Sequence, residues 1–173
     1  MVPPAFSKPL DAARMFAYGA LGLLLTGGAL VATRSAAVLD LYTGGRYVTI
    51  DSGSLLVFTA LGFAICGAIY YAFPRLTEKN LRKGLGTLHF WLSLAGVLLG
   101  LAYLQIISRV QNAGGGGEAA AGFAPGVGQQ IVSWFLLVGS LVFFAGQALF
   151  VVNLVWSSFR PSKAASLKDG SPR

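Results

Sequence analysis

Four long apolar runs, at 15–33, 52–74, 86–108 and 129–156, are separated by short polar stretches, and none contains Asp, Glu, Lys or Arg. A helix rises about 1.5 Å per residue and a hydrocarbon core is roughly 30 Å thick, so each run is long enough to cross a bilayer. Helices satisfy their own backbone hydrogen bonds, which lipid cannot do for them. The pattern predicts an all-α, integral membrane bundle of four transmembrane helices, with 1–173 forming a single membrane domain. Pro74 is expected to close the second span. The connection 34–51 carries a Gly44-Gly45 turn and the paired aromatics Tyr42 and Tyr47 at interfacial depth. The stretch 109–128, with four consecutive glycines, is expected to be a flexible extramembrane loop, and 157–173 a basic, polar tail.

Charge adds an orientation. With both termini and the hinge 75–83 on one side, that side collects Lys8, Arg14, Arg75, Lys79, Arg82, Lys83, Arg160, Lys163, Lys168 and Arg173. The other side holds only Arg34, Arg46 and Arg109. Basic loops are retained in the cytoplasm, so both termini are expected to be cytoplasmic. The net charge of +7 does not point to nucleic acid, because the basic residues flank apolar spans instead of lining a polar face. Hydrophobic residues make up 55% and charged residues 11%, against about 25% charged in soluble domains. The start of the chain resembles the charged region of a secretory signal, but the run behind it is too long and lacks a small-residue cleavage site. It reads as a retained span.

Candidate chemistry is sparse. His89 is the only histidine and Cys66 the only cysteine, so no intrachain disulfide can form. One imidazole can ligate haem or sense pH. An interfacial position, with hydrogen bonds to loop carbonyls, is the plainer expectation for it. Ser52, Ser54, Thr59, Ser93, Ser140, Gln147 and Asn153 are expected to join helices by hydrogen bonds. Trp91, Trp134 and Trp156, with Tyr70, Tyr71 and Tyr103, are expected to anchor span ends. The basic hinge also suits anionic lipid, although setting topology explains it. Proton conduction leaves ionisable residues at depth, so autonomous pumping is not expected. No phosphate-binding glycine loop, Cys-x-x-Cys pair, His-Glu-x-x-His or Gly-x-Ser-x-Gly is present.

Four motifs in order carry a resemblance. GLGTLHFWLSLAGV (84–97) resembles the opening of the eleventh helix of haem-copper oxidase subunit I, and GAIYYAFPRLT (67–77) is similar to the end of its tenth. LDLYTGGRYVTIDSGS (39–54) resembles the stretch leading to that family's His-x-His, and ALFVVNLVWSSFR (148–160) the end of its twelfth helix. The resemblance, running from the first span through the fourth, implies the last four helices of subunit I, with both ends cytoplasmic.

The departures bear on function. Where the resemblance places the two haem-ligating imidazoles, this chain has Ser52 and Ser54, and a neutral hydroxyl is a poor iron ligand. The family's His-Asp pair falls on Gly44 and Gly45, and its propionate-clamping arginines on Gly114 and Gly115. The copper-binding histidines belong to helices with no counterpart here. The expected function is a non-catalytic integral subunit of a respiratory terminal oxidase or related electron-transfer complex, serving assembly or partner docking. It would have no catalytic or metal-ligating residue and no cofactor bound by this chain alone. Haem would reside in partner subunits, its partners would be other membrane subunits and lipid, and its location a prokaryotic energy-transducing inner membrane. Two other readings follow from the residues: a redox-active subunit sharing a haem site through His89, and a free-standing homo-oligomer.

Overall fold

Each apolar run folds as a helix that extends past the run into its charged flanks. The computed structural model describes residues 11–34, 36–43, 46–113 and 127–159. Its long elements are α1 (Ala12–Ala32), α2 (Ser52–Thr77), α3 (Lys83–Ala113) and α4 (Val127–Ser158). All four contain a stretch long and apolar enough to cross a membrane, so the chain is a four-helix membrane bundle. α3 and α4 reach into the region read as a loop, and α4 takes Ser157 and Ser158 from the tail. The expectations for Gly44 and Gly45, for Gly114 and Gly115, and for the tail beyond Phe159 lie outside the described residues.

Two local expectations are corrected. Pro74 does not end α2, which runs on to Thr77. The proline removes one backbone donor, the one that would face the Tyr70 carbonyl, and side chains add bonds to the neighbouring carbonyls. Arg75 donates to the Tyr71 carbonyl at 2.9 Å and Thr77 to the Phe73 carbonyl at 2.7 Å. The helix stops at Glu78, which takes a left-handed conformation with φ 54°. The connection between α1 and α2, read only as a turn between paired tyrosines, contains two strands. Strands β1 (Val38–Thr43) and β2 (Arg46–Asp51) pair antiparallel, with Tyr42 opposite Tyr47 and Thr43 opposite Arg46. β-branched and aromatic residues on both sides of a Gly-Gly step favour such a hairpin.

The helices pack as two close pairs. A Cβ added to Gly27 of α1 would lie 2.8 Å from the Gly53 carbonyl oxygen of α2, and one on Gly53 would lie 3.1 Å from the Gly27 oxygen. α3 and α4 repeat the device: a Cβ on Gly96 would lie 2.7 Å from the Gly139 oxygen, and one on Gly139 3.2 Å from that of Gly96. In lipid, where burying apolar surface gains little, such backbone proximity drives association through dispersion. The pairs meet through an aromatic cluster of Phe16, Phe63, Tyr70, His89, Phe90 and Phe150.

Polar contacts lock one end of the bundle. Asn153 on α4 accepts from the Arg82 amide at 3.0 Å and donates to the Arg82 carbonyl at 3.2 Å, pairing with the backbone before α3 as a neighbouring strand would. The Arg82 guanidinium lies 4.8 Å from the Trp156 ring centroid, and Lys79 donates to the Ser158 carbonyl. A cation at the C-terminal carbonyls of α4 also suits the helix dipole.

Candidate functional site

The residues singled out by sequence fall at opposite ends of α2. Ser52 opens the helix and is fully buried. Its amide donates to the Ala37 carbonyl at 2.8 Å, and its hydroxyl oxygen accepts from the Ala37 amide at 2.9 Å. These bonds extend the hairpin by one rung beyond the Val38–Asp51 pair. Ser54 lies two residues on, and its amide donates to the Asp51 carboxylate at 2.7 Å, so Asp51 is the N-cap of α2. Hydrogen bonding from the Ser54 side chain, and then from its amide, holds the Asp51 carboxyl below the usual carboxylate range. Both positions serve to join the hairpin to the helix.

His89 is elsewhere than expected. It has no exposed surface, whereas an interfacial helix end with loop carbonyls was anticipated. α3 begins at Lys83, which puts His89 roughly 9 Å along its axis at 1.5 Å per residue. There the face 86, 89, 93 and 96 is buried. The His89 ring centroid lies 4.6 Å from that of Phe16 and 4.9 Å from that of Phe150. Its Nδ1 is 3.2 Å from the Tyr70 hydroxyl, while Nε2 has no hydrogen-bond partner among the described residues. Taking the hydroxyl as donor to Nδ1 places the ring proton on Nε2.

Tyr70 is the residue that sequence reasoning missed, having been assigned to an aromatic belt. Trp91, Trp134, Trp156 and Tyr71 are more than half exposed, but Tyr70 is only 5% exposed. The signal was present in the spacing: Leu56, Ala60, Phe63, Gly67 and Tyr70 form one buried face of α2, at the helical intervals of three and four. Of the polar residues expected to join helices, Gln147 and Ser93 do so: Gln147 of α4 donates to Ser93 of α3 at 3.0 Å, at a point where Gly146 presses on the same serine. Thr59 does not; it bonds within its own helix, to the Leu55 carbonyl at 2.7 Å. Cys66 is a free thiol at the margin of the aromatic core.

Fold and spans define a multi-pass α-helical membrane protein. Residues 5–108 match the family described as Cytochrome C and Quinol oxidase polypeptide I, and the chain belongs to it. It is 26% identical over 156 residues to cytochrome c oxidase subunit 1 of Synechocystis, covering 90% of this chain and 27% of that protein. It is 28% identical over 168 residues to the alternative cytochrome c oxidase subunit 1 of Bradyrhizobium diazoefficiens, covering 91% of this chain and 28% of the relative. A shorter match, 31% over 87 residues, is to cytochrome c oxidase polypeptide 1 of Halobacterium salinarum, covering 50% of this chain and 15% of that protein. The chain therefore spans about a quarter of the length of the first two. No solved structure gives a significant match.

Proposed function

We propose that this chain is a non-catalytic integral subunit of a respiratory terminal oxidase or related electron-transfer complex, keeping the family's helical frame for assembly or partner docking. One observation carries the reading. At the positions where the resemblance puts haem-ligating imidazoles stand two serines, and the Ser52 hydroxyl is buried and committed to the Ala37 amide. The residues present do not fit a haem held in the family's way. Hydroxyl is a weak donor to iron, and a porphyrin at Ser52 would have to displace the base of the hairpin.

The competing route, a haem shared through His89, has one point in its favour: the unpartnered Nε2. Against it, the imidazole has no exposed surface and is crowded by Phe16, Tyr70 and Phe150. Axial ligation needs a macrocycle seated directly over the nitrogen, and that requires opening the aromatic cluster. On the proposed reading haem belongs to partner subunits, and the membrane is a prokaryotic energy-transducing one, in keeping with the relatives. Both termini face the cytoplasm, since Arg14, Arg75, Lys79, Arg82 and Lys83 lie at or near the end of the bundle where α1 begins and α2 ends.

The test is the composition of the complex extracted from the native membrane in mild detergent, with its reduced-minus-oxidised spectrum. The chain is expected to travel with haem-bearing subunits and, once separated, to show no haem absorbance. Purification as a homo-oligomer without such subunits, or haem remaining on the separated chain, overturns the proposal.

A further inference from the structure

A groove runs along the α1–α2 pair, lined by both helices. Its cavity measures about 820 Å³, within the range of roughly 300–1,000 Å³ typical of small-molecule sites. The cause is compositional. Ala13, Ala17 and Ala20 on α1 face Ala64, Gly67 and Ala68 on α2. Both rows are spaced for one helix face, so two strips of minimal side chains leave an apolar trough along the crossing. From Arg75 to Ala64 the trough extends about 16 Å at 1.5 Å per residue, close to the depth of one leaflet of a roughly 30 Å core.

The mouth of the trough is charged. Arg14 and Arg75 line it, together with Asp11 and Asn80. Arg75 is held in place, its guanidinium carbon 3.3 Å from the Tyr71 ring centroid and one N–H on the Tyr71 carbonyl. A guanidinium has five N–H donors, so most of those on Arg75 are free. No hydrogen bond or ion pair engages the Arg14 side chain among the described residues. Asp11 contributes one carboxylate, leaving the mouth with one net positive charge.

We propose that this groove holds one anionic phospholipid, its phosphate between Arg14 and Arg75 and an acyl chain along Ala17, Ala64 and Ala68. Two guanidiniums over a trough confined to one leaflet complement a diester phosphate joined to a hydrocarbon chain. A soluble anion has no use for the trough, and a zwitterionic lipid brings a cation to the arginines.

The full chain, reconstituted in nanodiscs of equimolar phosphatidylglycerol and phosphatidylcholine and released for native mass spectrometry, tests this. The wild type is expected to retain one phosphatidylglycerol in preference to phosphatidylcholine. Arg14→Gln with Arg75→Gln should reduce that preference about tenfold, whereas Arg82→Gln with Lys83→Gln, removing equal charge from the same end, should preserve it. Ala17→Leu with Ala68→Leu should expel the lipid while circular dichroism shows unchanged helicity. Equal retention in wild type and the Arg14/Arg75 variant, equal loss in the two charge variants, or displacement of the lipid by glycerol 3-phosphate overturns the proposal.

Discussion

At the start of α2, Ser52 exchanges two hydrogen bonds with Ala37 and the Ser54 amide donates to the Asp51 cap; toward its other end, Tyr70 reaches His89 within a cluster of aromatic rings. The first region consists of small polar groups whose bonds go to the backbone. The second keeps an imidazole, one nitrogen of which has no described partner. The resemblance places haem ligands in the first region, where imidazole has gone, and a non-ligand histidine in the second, where imidazole remains. His89 is placed as a packing residue, in contact with residues from α1, α2 and α4.

The comparison breaks most visibly at His89. His89→Ala leaves Phe16, Tyr70 and Phe150 facing a cavity, and should destabilise the bundle by about 2–4 kcal/mol. His89→Phe keeps an aromatic ring in the cluster and removes the unpartnered nitrogen while losing the bond to Tyr70. The ring is larger than imidazole, so the cost should be about 1–3 kcal/mol, below that of His89→Ala. Unfolding of both variants in the same detergent measures the difference, and the visible spectrum of the complex should be unchanged in both. A haem band lost in both variants, the ring-preserving His89→Phe included, would turn the packing residue into a ligand.

Restoring imidazole at the other end is the reciprocal test. Ser52→His with Ser54→His puts donors back at the positions of the resemblance, yet Ser52 is fully buried under the hairpin. Overpacking should cost about 1–3 kcal/mol, and the purified variant incubated with haemin should show no axial-ligand band. Tight haem uptake by this variant would mean that only two side chains separate the present chain from a haem-binding one. A smaller effect belongs to Tyr70→Phe, which leaves Nδ1 of His89 unsatisfied without altering the packing. It should cost about 1 kcal/mol by the same unfolding assay.

Legibility in the sequence followed the strength of the physical constraint. The spans were plain because a bilayer tolerates no charged side chain at modest cost, and 15–33 through 129–156 contain no Asp, Glu, Lys or Arg. Element ends were harder. Pro74 looks like a terminator until Arg75 and Thr77 are seen to hold the next turn, a bonding choice invisible in hydropathy. The hairpin was half legible: Tyr42 and Tyr47 were paired, but two strands of 6 residues each give too little alternation to stand out beside long apolar spans. Ser52 and Ser54 were identified by resemblance alone. Their actual task, tying Ala37 and Asp51 to α2, depends on a contact across 15 residues of chain. His89 was misplaced because three residues, Lys83 to Leu85, were left out of the helix that carries it inward.

The last effect concerns the cap at Asp51, in the first of the two regions. Its carboxyl is held below the usual carboxylate range by hydrogen bonding from Ser54, so the charged form is favoured in the folded state. Stability from this source is therefore fully present above about pH 4 and is lost as pH falls through the lowered folded value, when protonation weakens the carboxylate as an acceptor. Asp51→Ala should cost about 1 kcal/mol at neutral pH and less as the medium is acidified. Unfolding midpoints of the wild type and the variant between neutral and strongly acidic pH give the two slopes. Parallel curves for Asp51→Ala and wild type would remove Asp51 from the cap and leave the Ser52–Ala37 rung to hold the start of α2 alone.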